Sequence, residues 1–291
     1  MEACKNCDQS DQTIRQRVQD VERLIIIMKS IILFRFHKNV SVCINRLKLL
    51  KRYNPRIPIY GLYGGALKSF PIFRQKLSGH LKDIYCIKGH TSMWKWKNSD
   101  LAVRAWYKDI GHSIDFDVVY IIEWDLLILE SLKKIYPDAQ DGTIILTGLT
   151  PLKNVSDGWD WVTTEPFKSQ WHKLLRLVKN KYDYNQEPYA SLGPGACLCK
   201  SFLEQYSKDV VPDLAHDELR LPLYAQLYNM KLKDTGFYRY WFNINNEKKF
   251  FNCNSMPIRD SVISAEMRKP NGRRIFHPYR KTFRDEHLPN R

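Results

Sequence analysis

Asp117-Val118-Val119-Tyr120-Ile121-Ile122-Glu123-Trp124-Asp125 is the stretch that decides the fold. Residues 117–122 are almost wholly β-branched, aromatic or aliphatic and read as the most emphatic strand of the chain. Two carboxylates, Glu123 and Asp125, close it at its carboxyl end. In open α/β sheets, ligands gather at the carboxyl ends of strands. Acids at i and i+2 there suit a divalent cation together with a ribose hydroxyl, since hard oxygen ligands favour Mg²⁺ or Mn²⁺. As residues alone, they equally suit a pair of solvated acids at a strand edge.

Upstream, Ser30 to Phe36 reads as a buried strand rich in Ile, Leu and Phe. From Asn39 to Tyr53, Val40, Cys43, Ile44, Leu47 and Leu50 share one helical face, and Asn54-Pro55 stops the helix. Ile57 to Tyr63 is a second strand, ended by Gly64-Gly65. A crossover of roughly twenty residues between two strands predicts that they are parallel. Further elements are a strand at 83–87, helices at 101–109 and 126–134, and a strand at 143–149. An amphipathic helix is marked by Trp171, Leu174, Leu175 and Val178, a glycine turn at 193–199 enters a short strand, and a helix at 217–229 tolerates Pro222 near its start. No repeat or low-complexity linker divides the chain. The expectation is a polar extension over residues 1–22 and one α/β domain over 23–291. That domain comprises a nucleotide-binding half to about residue 125, an acceptor-binding half over 126–267 and a basic tail over 268–291.

The 291 residues are 44% hydrophobic and 26% charged, which excludes a largely disordered chain. Lys and Arg number 46 against 31 Asp and Glu, a net +15 that favours an anionic partner. The basic residues are spread along the chain rather than gathered in a nucleic-acid motif, so no nucleic-acid partner is expected. The longest apolar run, Leu24 to Phe36, is broken by Lys29 and Arg35 and is shorter than the ~20 residues of a spanning helix. Seven scattered cysteines suggest a reducing compartment. A cytoplasmic location follows, with peripheral contact at an anionic membrane surface as an option. Cys4 and Cys7 form a lone C-x-x-C that lacks the further ligands of a structural zinc site.

Three more constellations carry chemistry. His216-Asp217-Glu218 opens a helix, where an acid serves as a cap or as a general base. Leu192-Gly193-Pro194-Gly195-Ala196 lets a backbone pass close to a ligand, or is a plain turn. His277, within Phe276-His277-Pro278-Tyr279-Arg280-Lys281, lies in a basic and aromatic surround suited to a diphosphate, or is a bystander in an exposed tail.

In this order the elements resemble the glycosyltransferases of the GT-A fold. The family's D-x-D motif corresponds to Glu123-Trp124-Asp125, its glycine loop to Gly193-Pro194-Gly195, its x-E-D motif to His216-Asp217-Glu218 and its C-terminal metal-binding histidine to His277. The resemblance covers residues 24 to 280 and implies a GT-A-like, Rossmann-like mixed sheet, mostly parallel and flanked by helices. It implies a hexosyl- or pentosyltransferase that moves sugar from a nucleotide-diphosphate donor to a glycan, lipid-linked or protein acceptor, with Mn²⁺ or Mg²⁺ as cofactor and inversion at the anomeric carbon. Asp125 and His277 would be the metal ligands. Glu123, Gly193 and Gly195 would line the donor, joined by Lys97 and Asp100 from the segment Trp94-Lys95-Trp96-Lys97-Asn98-Ser99-Asp100. Two departures matter: the first acid is Glu rather than Asp, and the x-E-D motif reads His-Asp-Glu. The base is therefore Asp217 or Glu218, with Asp217 narrowly preferred. A nucleotidyltransferase uses similar parts but wants a glycine-rich basic loop after the first strand, and Phe36-His37-Lys38-Asn39 has no glycine.

Overall fold

The computed structural model describes residues 28–238, 241 and 245–284. The polar extension over 1–22, the Cys4-x-x-Cys7 pair and the last residues of the basic tail lie outside the described residues.

Strand β1 (Ser30–Phe36) leads into helix α1 (Val40–Tyr53) and returns as β2 (Ile59–Tyr63). Helix α2 (Phe70–Leu77) and β3 (Ile84–Cys86) follow, then α3 (Ser92–Lys97) and α4 (Ser99–Asp109). Strand β4 (Val118–Glu123) is the quoted stretch. Beyond it come β5 (Leu127–Ile128), β6 (Thr143–Pro151), α5 (Phe167–Tyr182) and β7 (Tyr189–Cys199). The chain continues through α6 (Lys200–Lys208), α7 (Asp217–Leu227), β8 (Lys231–Asp234), α8 (Asp260–Met267) and β9 (Ile275–Phe276).

A seven-stranded sheet has the order β3-β2-β1-β4-β7-β6-β8. Strands β1 to β4 are mutually parallel, β7 runs antiparallel between β4 and β6, and β8 pairs parallel with β6. This is the α/β, mostly parallel sheet flanked by helices that the sequence predicts. The centre is apolar on both faces: Ile31 to Phe34 of β1 and Val118 to Ile122 of β4 are all buried. A strand covered on both faces needs a continuous apolar run rather than alternation. The parallel register aligns Arg35 of β1 with Glu123 of β4, so both polar residues emerge together at the carboxyl edge.

The predicted helix at 126–134 is a correction. Leu127 and Ile128 form β5, antiparallel to Ile275 and Phe276 of β9, and only one helical turn follows at Leu132–Ile135. Leu126, Leu127, Ile128 and Leu129 are all buried, so there is no solvated face for an amphipathic helix, and a partner strand far along the chain satisfies the backbone. The glycine turn at 193–199 is likewise part of a longer strand, whose register against β6 shifts between Ile145 and Thr150. The described part of the tail is built into a second apolar cluster with Leu49, Leu127, Phe276, Tyr279 and Phe283. Buried Arg46 of α1 anchors it by donating to the carbonyls of Tyr279 (2.6 Å) and Lys281 (2.9 Å).

Candidate active site

Three contacts join the sequence motifs at the carboxyl edge of the sheet. At the first, Nε2 of His277 lies 3.7 Å from Oδ1 of Asp125, and Nε of Arg280 donates to Oδ2 of Asp125 at 3.1 Å. His277 Nδ1 is 2.8 Å from the carbonyl of Asn252, which can only accept, so that nitrogen carries a proton and Nε2 is the atom turned to Asp125. Burial alone would raise the Asp125 carboxyl. The hydrogen bonds and charges of His277 and Arg280 outweigh it and hold that carboxyl well below the usual range.

Second, Oε2 of Glu123 accepts the backbone N–H of Gly195 at 3.0 Å, and Oε1 pairs with Arg35 at 3.1 Å. Burial pushes the Glu123 carboxyl up, and these partners offset only part of the shift. Gly195 has φ +82°, and a Cβ there would stand 2.8 Å from the Phe237 ring. Only glycine supplies this turn at no steric cost.

Third, Oε1 of Glu218 accepts the backbone N–H of Gly193 at 2.8 Å, and Oε2 accepts Trp161 Nε1–H at 2.8 Å. Pro222 lacks the N–H that would bond the Glu218 carbonyl within α7, and Ser191 Oγ donates to that carbonyl instead at 3.2 Å. The proline therefore hands the backbone of Glu218 to β7. Burial, assisted by the neighbouring Asp217 charge, pushes the Glu218 carboxyl up.

Asp217, the adjacent residue, has a different environment. Its Oδ2 accepts the backbone N–H of Ser99 at 3.0 Å and the Ser99 hydroxyl, so it caps α4 rather than its own helix. Its Oδ1 stands 2.8 Å from His216 Nδ1. Burial would raise this carboxyl too, but the charge and hydrogen bond of His216, with Ser99, bring it down to about 2. Burial opposes protonation of His216, yet the charges of Asp217 and Glu218 prevail and its pKa is raised. The imidazole is stacked on Trp161 at 4.1 Å and meets the edge of Trp96 at 5.2 Å.

The structure thus brings Glu123, Asp125, His277, Gly193, Gly195, Asp217 and Glu218 into one region. Cys253 lies in the field of Glu218, Asp125 and Glu123 together; desolvation and these acids hold its thiol well above the ordinary range, although one side is open to solvent. Lys97 and Asp100 are turned to other partners. Lys97 Nζ donates to Gln170 at 2.7 Å and lies 3.8 Å from Asp213. Asp100 forms a fully buried ion pair with Arg220 and accepts from Tyr206 Oη at 2.5 Å. Sequence reading missed Arg35, Ser99, Trp161 and the Asn252 carbonyl. Arg35 alone gave a signal, as a cation within an otherwise apolar strand.

The donor set fits a divalent cation. A carboxylate oxygen and an imidazole nitrogen face one another, and the histidine's other nitrogen is oriented by a carbonyl, the arrangement that metal-ligating histidines adopt. Among the described residues no group of three or more His, Cys, Asp or Glu assembles, so the remaining ligands would come from substrate and water.

No family model and no curated protein matches the chain significantly. Among solved structures it is similar to the galactosyltransferase LgtC in complex with donor and acceptor sugar analogs, at 11% identity over 70% of this chain and 72% of that one, TM-score 0.40. It is also similar to a cytidylyltransferase from Leptospira borgpetersenii serovar Hardjo-bovis (strain JB197), at 9% identity over 73% and 76%, TM-score 0.38. Neither likeness bears on what this chain binds.

Proposed function

We propose that the protein is a metal-dependent glycosyltransferase that moves a hexose or pentose from a nucleotide-diphosphate sugar to an acceptor hydroxyl with inversion. The observation that carries this reading is that Gly193 and Gly195, two residues apart on β7, bond Glu218 and Glu123 respectively. One short segment thereby joins the nucleotide-side acids to a carboxylate suited to take a proton.

Asp125 and His277 would hold Mn²⁺ or Mg²⁺, which offsets charge on the leaving diphosphate. Arg280 and Arg35 add fixed positive charge beside the two acids. Glu218 is the better base. Its pKa is raised, and each carboxylate oxygen keeps a lone pair beyond the one used by Gly193 or Trp161. The acceptor oxygen attacks the anomeric carbon from the face opposite the leaving group while its proton passes to Glu218. Asp217, held down to about 2 and spent on Ser99 and His216, is a positioning residue. This reverses the order in which the sequence motif places the two acids.

The test is to incubate the chain with UDP- and GDP-sugars and Mn²⁺ and to follow the phosphate product. Metal-dependent release of nucleoside diphosphate is expected. Pyrophosphate release from a nucleoside triphosphate and a sugar phosphate, with no nucleoside diphosphate formed, would overturn the reading in favour of nucleotidyl transfer.

A further inference from the structure

Six large apolar side chains stand exposed among the described residues, and four of them fall in two adjoining segments: Leu67 at 54%, Ile72 at 57%, Met93 at 68% and Trp96 at 56%. The segments follow β2 and β3 and are tied together by Lys95, whose Nζ donates to the Gly65 carbonyl at 3.2 Å and whose side chain lies 4.0 Å from the Cβ position of Gly64. Helix α2 buries Phe73 and Leu77 and turns Ile72, Arg74 and Lys76 outward.

Cations predominate around these side chains, and Asp213, which accepts from Trp94 Nε1–H and lies 3.8 Å from Lys97, borders them. Lys68, Arg74, Lys76, Lys82 and Lys88 are exposed, and no carboxylate among the described residues pairs with any of them. From residue 66 to 99 the sole acid is Asp83, whose Oδ1 is held by the Ile84 N–H at 2.7 Å.

We infer that this face docks on an anionic lipid bilayer. Exposed apolar side chains ringed by cations complement such a surface: the apolar groups enter the headgroup boundary and the cations meet lipid phosphates and carboxylates. Trp96 has the amphipathic ring that favours the interface. A nucleic acid fits less well, because three of the four side chains, Leu67, Ile72 and Met93, offer no ring for base stacking. No described helix is long and apolar enough to cross a membrane. Since β1 to β4 are parallel, the loops carrying the patch share the carboxyl edge with Glu123 and Asp125, and the bilayer would lie on the side where the candidate site opens. The inference does not depend on the chemistry assigned to the acids.

Cosedimentation of the full chain with phosphatidylcholine vesicles, with and without phosphatidylserine, tests it. Binding is expected only with phosphatidylserine, and it should weaken as salt is raised. The triple variant Leu67→Glu, Ile72→Glu, Met93→Glu and the separate triple variant Lys68→Gln, Arg74→Gln, Lys76→Gln should each lose at least about tenfold in vesicle partitioning. Thermal unfolding checks that each remains folded, and either one alone suffices. The inference fails if the parent chain stays in solution with both vesicle types, or if a folded variant sediments like the parent. It also fails if polyuridylate, and not the vesicles, binds the parent and is lost in the variants.

Discussion

Asp125 and His277 are 152 residues apart in the sequence, yet Nε2 of His277 stands 3.7 Å from Oδ1 of Asp125, with its other nitrogen fixed on the Asn252 carbonyl. The imidazole is aimed before any ligand arrives. Asp125→Asn and His277→Ala should each weaken Mn²⁺-dependent binding of a nucleoside diphosphate by roughly tenfold or more. Calorimetry with and without Mn²⁺ measures this. Unchanged metal-dependent affinity in both variants would remove the cation from this pair.

Glu218→Gln keeps the side chain's size and removes the base. Turnover should fall by roughly 10²- to 10⁴-fold with little change in donor affinity. Asp217→Asn should cost less in turnover and more in stability, because its carboxylate caps α4 through Ser99. Steady-state kinetics and unfolding curves on the two variants separate these roles; the opposite pattern would restore Asp217 as base.

The same two acids predict opposite pH behaviour. Glu218 has a raised pKa, so kcat/KM should fall on the acid side with an apparent pKa above that of an ordinary glutamate. Asp217 has its folded-state pKa lowered from 3.8 to about 2. Its contribution to stability is therefore fully present above its unfolded pKa and is lost as pH falls through about 2. The stability difference between the parent and Asp217→Asn should shrink over that window; a difference independent of pH would refute the pairing.

Arg220 spends its guanidinium on Asp100 and on the carbonyls of Leu214 and Ala215, just ahead of His216. Asp100→Asn would leave a buried cation without its counter-charge, a change that costs about 3–5 kcal/mol. Chemical denaturation should show a loss of this order. A much smaller loss would mean that water or another acid reaches Arg220.

The two glycines of β7 should respond differently. Gly195→Ala places a side chain at φ +82° against Phe237 and should destabilise the fold by roughly 1–2 kcal/mol or more. A Cβ at Gly193 meets only Glu218 Oε1, at 3.6 Å. Gly193→Ala should leave melting unaltered and change kinetics alone.

How much was legible follows from how local each signal is. The strand at Ser30–Phe36 and the helix start at Asp217 were read to the residue, because periodicity and capping act over one or two turns. The stretch at 126–134 was misread because the partner of Leu127 and Ile128 is Phe276 and Ile275, and no nearby residue announces that pairing. The contacts of Glu218 with Trp161 and of Asp217 with Ser99 likewise join segments that have no common motif.

By itself the sequence determined the parallel α/β core and the placement of Glu123 and Asp125 at a strand's carboxyl end, since uninterrupted apolar runs and crossover lengths leave few topologies. It also supplied both Asp217 and Glu218 as candidate acids. Only the tertiary structure set their environments apart: the charge of an acid follows the donors and cations folded around it, and here one neighbour faces Ser99 and His216 while the other faces Gly193 and Trp161. The tertiary structure likewise turned Asp100 into a buried counter-ion and brought His277 to Asp125, because packing distant segments into one core fixes which charges meet.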